Sequence, residues 1–399
     1  MSRTARDLSV QWQRSLGFAA GCATLGVVVH LGGRTLPLWL MTIGLGIGLV
    51  GAAFLLAWAA DAGEAVFSGS LVLTSIALIA ILPEFIIEVR FAYLQEAELV
   101  TANLTGATRL LLTGALALPL MVAFRASRRG EQAAPFHLAA ARRLELGVLL
   151  VTSLFAIQVV TLGHLTVADG VILVALYGLY ARKVQAGARE ESPAFGVPAG
   201  LLSLPPRYRR AAIAGLGALA SVVVLMIAHP FVDALLETGA SLGFDPYFLI
   251  QSVVPVATEA PEFVIVAVLV AHHRPALGVA LFLASSVAQW TLGMGLLPLA
   301  FFAGGGGASM PLAGPGQLEL WLTIALTLFA VAALALLRPH RFDATLCVAI
   351  LVIHFIYPVT FVRIAASFVL FVFAVDLFVD RRRAVPPLFK AVFARSSGT

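Results

Sequence analysis

Two proline-glutamate pairs each lie inside an apolar segment that is long enough to cross a membrane. The first reads Leu82-Pro83-Glu84, and the second reads Ala260-Pro261-Glu262. A carboxylate in the hydrocarbon core is costly and usually marks the path of an ion or substrate. Proline removes a helical hydrogen bond and so frees a backbone carbonyl that can line a cavity. A duplicated acidic pattern of this kind is typical of transporters built from two repeats.

A second carboxylate accompanies each pair. Glu88 follows Glu84 by four residues and Glu259 precedes Glu262 by three, so each pair shares one face of a helix. Four carboxylates on two helices predict a cage for a hard cation such as Ca²⁺, which takes several oxygen ligands. The next helix along each half of the chain adds neutral side chains: Thr101, Asn103, Thr105, Thr108, Ser285, Ser286 and Gln289.

The composition places these acids in a membrane protein. Hydrophobic residues make up 60% of the chain, charged residues 12%, and the mean hydropathy is +0.97, which excludes an ordinary soluble domain. The net charge of +5 comes from basic residues spaced between apolar segments, so no nucleic-acid partner is expected. Cys22 and Cys347 form neither a disulfide framework nor a zinc motif.

No motif for nucleotide binding or intramembrane hydrolysis is found, so we expect a transporter rather than an enzyme, without a bound cofactor. Its expected partners are inorganic cations and the lipid bilayer. The sequence leaves the oligomeric state open.

The apolar segments predict an all-α polytopic protein with about twelve membrane spans, since roughly 20 residues cross a bilayer. The predicted spans are 15–31, 37–60, 68–93, 99–124, 144–163, 166–182, 211–229, 247–271, 277–302, 318–337, 344–360 and 362–380. Lys and Arg gather in the connections that face one side, which satisfies the positive-inside rule if both termini are cytoplasmic. We therefore expect a multi-pass protein of a bacterial-type plasma (inner) membrane.

When the two halves of the sequence are aligned on their Pro-Glu pairs, the neighbouring predicted spans also align. For example, 37–60 aligns with 211–229 and 144–163 aligns with 318–337. This predicts two inverted five-helix repeats, with one extra helix at each end of the chain. The expected domains are an extra helix at 1–36, a first repeat at 37–182 with its acidic region at 68–124, an exposed cytoplasmic linker at 183–210, a second repeat at 211–361 with its acidic region at 247–302, and an extra helix and tail at 362–399.

The two acidic regions resemble the paired repeats of the calcium:cation antiporter superfamily, which holds the sodium/calcium and cation/proton exchangers. Residues 258–262 (TEAPE), followed by 284–289 (ASSVAQ), carry the resemblance in the second repeat. Residues 82–84 (LPE), followed by 102–108 (ANLTGAT), match the pattern less closely. The chain is similar to a divergent member of this superfamily.

The resemblance implies that Glu84 and Glu262 are the central metal ligands. The other expected cation-binding residues are Glu259, Glu88, Gln289, Ser285, Thr258 and Asn103. It also implies a secondary-active antiporter that exchanges Ca²⁺ or another cation for H⁺ or Na⁺ by alternating access. Proton coupling is favoured because the hydroxyl- and carbonyl-rich sodium sites of the family look depleted in the first repeat. The alternatives are a sodium/proton antiporter and a membrane sensor that does not transport.

Arg109 lies near the middle of span 99–124, where an unpaired arginine is unfavourable. We expect it to act as a charge partner of Glu84 or Glu88, on the helix that precedes it. Glu319 is expected at the solvated outer rim, and His354 is expected to be a packing histidine.

Overall fold

The computed structural model describes residues 3–67, 82–130, 132, 135–186, 194–312, 315–357 and 359–394. Within these residues the chain is almost entirely helical. The helices before the chain midpoint are α1 (Arg3–Leu31), α2 (Leu38–Val66), α3 (Leu82–Tyr93), α4 (Ala97–Arg128), α5 (Arg143–Leu162) and α6 (Val167–Ala186). Those that follow are α7 (Val197–Leu202), α8 (Pro206–Ser241), α9 (Pro246–Ala271), α10 (Pro275–Ala288), α11 (Met294–Ala303), α12 (Gly316–Leu334), α13 (Arg341–Ile356), α14 (Thr360–Asp380) and α15 (Val385–Phe393).

Every predicted span coincides with a helix, although residues 68–81 of the third span lie outside the described residues. Nine helical segments of the described chain are long and apolar enough to cross a membrane; α10 and α11 together form one of them. The helices α3, α6 and α13 also stand at predicted spans but are not among the nine. The prediction of a helical, multi-span chain is confirmed. The count of about twelve spans and the inversion of the repeats stay predictions.

Two short strands are an addition to the predicted all-α fold. Strand β1 (His164–Thr166) pairs antiparallel with β2 (Ser309–Pro311), with Leu165 opposite Met310. The pairing ties the turn between α5 and α6 to the segment that follows α11.

The chain forms two compact units, and neither unit corresponds to one predicted repeat. The first unit comprises Met1–Ile87 and Ala188–Pro261, and the second comprises Glu88–Gly187 and Glu262–Thr399. Each unit therefore combines segments from both halves of the chain. The two boundaries fall inside α3 and α9, directly beside the acidic motifs.

In the first unit, α2 packs between α1 and α8. Gly26 of α1 and Gly48 of α2 allow a close approach, since a Cβ atom at Gly48 would lie 2.4 Å from the Gly26 Cα. Nearer the start of α2, the Thr42 hydroxyl donates to the Ala234 carbonyl of α8 at 2.9 Å. Small residues and buried hydroxyl groups are the usual means of packing helices in membranes.

The interpretation of 183–210 as an exposed loop is wrong for much of its length. Helix α6 continues to Ala186, and α7 occupies residues 197–202; residues 187–193 of the linker lie outside the described residues. Val197 and Leu201 of α7 are buried in a cluster with Ala62 and Ile213, against which Trp12 packs. The apolar run in this segment is too short to suggest a membrane span. Its side chains are nevertheless buried on one face of a short helix.

In the second unit, α12 is the most buried of the candidate membrane spans: 83% of its apolar 18-residue segment is buried inside the protein. It packs against α4, α5 and α14, while α10 packs on α4 and α11 on α6. Helix α15 lies on α5, where a Cβ atom at Gly147 would lie 2.4 Å from the Leu388 carbonyl oxygen. The α4, α10 and α12 segments are the elements that position the polar side chains described next.

Candidate functional site

Glu88 of α3 is buried and is held by two neutral amides from other helices of the second unit. Asn103 of α4 donates through Nδ2 to Glu88 Oε1 at 3.2 Å, and Gln289 donates through Nε2 to the same oxygen at 2.6 Å. Glu88, Asn103 and Gln289 are each no more than 1% exposed. The three side chains, which we call the Glu88 cluster, bring together residues from both predicted acidic regions.

Two acceptor oxygens of the Glu88 cluster are left without a hydrogen-bond donor. Among the residues that the structure describes, neither Glu88 Oε2 nor Asn103 Oδ1 accepts a hydrogen bond. Buried polar atoms are nearly always partnered, and an exception calls for an explanation such as an ion. Carboxylate and amide oxygens are the ligands that hard cations prefer.

Glu262 is partly buried and accepts a hydrogen bond from Ser285. The Ser285 Oγ of α10 lies 2.8 Å from Glu262 Oε1 of α9. Ser285 and Gln289 stand four residues apart, so they share one face of their helix. That face therefore presents one polar side chain to Glu262 and the next to Glu88.

The remaining predicted ligands belong to the first unit. Glu84 and Glu259 are both 5% exposed. The Thr258 hydroxyl donates to carbonyls of its own helix, Val254 at 3.2 Å and Pro255 at 3.4 Å. Helix α9 continues through Pro261 and is not broken there. Because proline has no N–H, Pro261 leaves the Ala257 carbonyl without its usual helical donor.

The cage of four carboxylates expected from the sequence stays a prediction, because its members belong to different compact units. In the described part of the chain, no three His, Cys, Asp or Glu side chains group as a set that could hold a metal ion. The described side chains that hydrogen-bond to Glu88 are the amides of Asn103 and Gln289. The sequence pattern identified acids that share a helix face, but it could not show which side chains meet them from other helices.

Arg109 has a different partner from the one predicted. Its Nη1 lies 2.5 Å from Glu319 Oε2 of α12, and its Nε donates to the Thr105 carbonyl at 3.0 Å. Asn103 and Arg109 are six residues apart, which turns their side chains by roughly 240° around α4. Asn103 faces Glu88, so Arg109 points toward α12 and α13. The hypothesis that Arg109 pairs with Glu84 or Glu88 is replaced by an ion pair with Glu319.

Glu319 is fully buried, and the prediction that it is solvated is wrong. Its Oε1 lies 2.6 Å from Nε of Arg363 on α14, and its Oε2 lies 3.6 Å from Nε2 of His354 on α13. The Arg109 Nη1 lies 3.1 Å from the same imidazole nitrogen. A guanidinium only donates, so His354 Nε2 is the acceptor in this contact. The prediction that His354 is a packing histidine stays a prediction.

Sequence reasoning missed this Arg109–Glu319–Arg363–His354 network, although one signal was available. Glu319 is the single acid within predicted span 318–337. A buried arginine requires an acid at similar depth, and Glu319 could have been considered on the same grounds as Glu84 or Glu88.

The geometry of the second unit suits reversible binding of a cation or a proton. A bare carboxylate is unfavourable away from water, so Glu88 requires a compensating proton or cation. The two amides fix the carboxylate, while their neutral charge leaves its negative charge uncompensated. Each of the described hydrogen bonds to Glu88 thus orients the acid without neutralising it.

Comparisons with known proteins agree with a transporter of this type. The profile of the family described as "Sodium/calcium exchanger protein" matches residues 36–182 and 213–375. The crystal structure of an H⁺/Ca²⁺ exchanger, CAX, is 28% identical, with a TM-score of 0.88, over 96% of this chain and 98% of that chain. A comparison with curated protein sequences gave no match.

Two more distant structures share the fold. The Ca²⁺/H⁺ antiporter protein YfkE is 15% identical with a TM-score of 0.61, over 90% of this chain and 99% of that one. The sodium-calcium exchanger NCX_Mj is 16% identical with a TM-score of 0.51, over 86% of this chain and 99% of that one. Because the family profile covers most of the chain and the apolar helices repeat along it, the protein is an integral, multi-pass membrane protein that belongs to the sodium/calcium exchanger family of cation exchangers.

Proposed function

We propose that the protein is a secondary antiporter that exchanges Ca²⁺ for H⁺, with Glu88 as one of the acids that bind the two ions in turn. The observation that carries the proposal is the Glu88 cluster, in which a buried carboxylate is oriented by neutral amides and keeps one oxygen without a donor among the described residues. Glu262, Glu84 and Glu259 are further acids that we assign to cation binding.

Exchange follows from competition at one carboxylate. A protonated Glu88 has lost most of its attraction for Ca²⁺, and a Ca²⁺-bound Glu88 does not retain a proton. Because a bare buried carboxylate is costly, the empty and ionised state resists the change of access between the two sides of the membrane. Because the site changes access only when Glu88 carries a proton or Ca²⁺, the inward movement of one ion is coupled to the outward movement of the other.

Proton coupling is favoured over sodium coupling by two facts. In the described part of the chain, the side chains that hydrogen-bond to Glu88 are two amides, and none is a hydroxyl. In addition, the protein with 28% identity and a TM-score of 0.88 is an H⁺/Ca²⁺ exchanger.

Purified protein in liposomes tests the coupling directly. We expect Ca²⁺ uptake to follow an imposed pH gradient in Na⁺-free buffer and to stay at the background rate under a Na⁺ gradient at fixed pH. Two variants are compared with the wild type. Glu88→Gln should lose the pH-driven uptake, whereas the control Glu98→Gln alters an exposed acid of α4 and should retain it. Uptake driven by Na⁺ alone would contradict proton coupling; no Ca²⁺ uptake under either gradient would contradict calcium exchange.

A further inference from the structure

The helix that carries Gln289 contains a π-helical turn at that residue. Residues Gln289–Gly293 are π-helical between α10 and α11, and the Met294 N–H donates to the Gln289 carbonyl, five residues earlier. Such turns are rare and occur frequently at functional sites. An element of this kind persists only where surrounding contacts hold it.

Two side chains at the start of the turn bind to different partners. Gln289 donates to Glu88 Oε1 at 2.6 Å, and the adjacent Trp290 donates through its indole Nε1 to the Thr327 hydroxyl of α12 at 3.0 Å. Trp290 is only 1% exposed and is among the largest fully buried side chains. Consecutive helical residues point in directions roughly 100° apart, so the direction of Trp290 fixes that of Gln289.

Thr327 is held in the orientation that this bond requires. Its own hydroxyl proton goes to the Thr323 carbonyl at 2.7 Å, which leaves the oxygen lone pairs free to accept the indole N–H. Thr327 also belongs to α12, the most buried helix of the second unit. The anchor for Trp290 is thus a fixed hydroxyl on a well-packed helix.

We infer that Trp290 and Thr327 are positioning residues that hold the π-helical turn and thereby aim the Gln289 amide at Glu88. If the turn relaxed into a regular α-helix, the register would shift by one residue and rotate the Gln289 side chain by about 100°. Glu88 would then lose its shorter hydrogen bond. The inference rests on the proposed role of Glu88 in Ca²⁺ binding.

A double-mutant cycle on the Ca²⁺ dependence of pH-driven uptake tests the inference. The proteins are Thr327→Val, Gln289→Leu and the double variant, with Thr327→Ser as the conservative replacement. Thr323→Val is the matched control, because it removes a hydroxyl one turn away on α12 that donates only to a carbonyl of its own helix. The KM and maximal rate for Ca²⁺ and the thermal midpoint are measured for each.

We expect Thr327→Val to raise the KM for Ca²⁺ about tenfold, the loss typical of one hydrogen bond to a charged group. Thr327→Ser should restore the wild-type KM, and Thr323→Val should leave it unchanged. In the Gln289→Leu background, Thr327→Val should have no further effect, since both act through the same amide. Trp290→Phe, which removes the donor and keeps an aromatic ring, should reproduce the KM of Thr327→Val.

Several results would overturn the inference. A Thr327→Val protein with the wild-type KM, or equal effects of Thr327→Val and Thr323→Val, would show that the anchor does not act on the site. Additive effects of Thr327→Val and Gln289→Leu would show that Thr327 acts on something other than Gln289, while the role of Glu88 would stand. A wild-type KM for Gln289→Leu would instead remove the Glu88 cluster from Ca²⁺ binding, and the inference would fail with it.

Discussion

Glu319 shows how a charge is kept inside the helical bundle. Its two oxygens contact two guanidiniums from different helices, Arg109 on α4 and Arg363 on α14, and all three groups are largely withdrawn from solvent. Ion pairs of this kind gain little over well-packed apolar residues, but removing one partner leaves a buried charge without compensation. The network therefore fixes three helices relative to one another.

Glu319→Gln should destabilise the protein by about 3–5 kcal/mol, because both guanidiniums lose their counter-charge. The thermal unfolding midpoint in detergent measures the effect, and Glu237→Gln serves as a control that alters an exposed acid of α8. A double change, Arg109→Met with Glu319→Leu, should recover part of the loss. An unchanged midpoint for Glu319→Gln would show that the network does not stabilise the fold.

The sequence points to the unusual acids within apolar spans, but it does not show which side chains contact them. Glu84, Glu88, Glu259 and Glu262 were found because a carboxylate in an apolar span is unusual by itself. The partner of Arg109 depends on which helices touch and on which face of α4 the residue lies. Neither follows from spacing along one helix, so the wrong acid was chosen.

Helices α1 and α2 approach each other closely at a point where both carry a glycine. A Cβ atom at Gly26 would lie 2.7 Å from the Gly48 Cα, and one at Gly48 would lie 2.4 Å from the Gly26 Cα. The nearest atom in each case belongs to the backbone and cannot rotate away. The two helices would have to move apart to accept a larger residue.

Gly48→Ala should therefore lower the thermal midpoint and the yield of monodisperse protein. Gly21→Ala is the matched control, since Gly21 lies on α1 with no atom within 4 Å of an added Cβ. At that position the change should stabilise the helix by up to about 1 kcal/mol through its higher helix propensity. Equal shifts in the two variants would contradict the proposed close packing.

Hydropathy predicted the positions of the long helices but not their internal geometry. Span 277–302 was expected as one helix, and it contains the π-helical turn at Gln289. Such a turn is decided by contacts of neighbouring side chains, here Glu88 and Thr327, that lie far away in the sequence. The short helix at 197–202 was missed for a related reason, because its burial depends on Ala62 and Ile213.

The whole chain forms two units that each draw on both predicted repeats. Duplication leaves a signal in the sequence, because related segments keep similar residues at a constant offset. Packing leaves no such signal, so the division at Ile87/Glu88 and Pro261/Glu262 could not be predicted. The inverted orientation of the repeats and the cytoplasmic location of the termini stay predictions from charge and spacing.

In the proposed mechanism, Glu88 exchanges a proton for Ca²⁺. Calorimetric titration of the purified protein with Ca²⁺, repeated in buffers of different ionisation enthalpy, counts the protons released on binding. We predict proton release by the wild-type protein and by Glu98→Gln, and the loss of about one proton from that count in Glu88→Gln. Ca²⁺ binding without proton release, or the same release from wild type and Glu88→Gln, would contradict the claim.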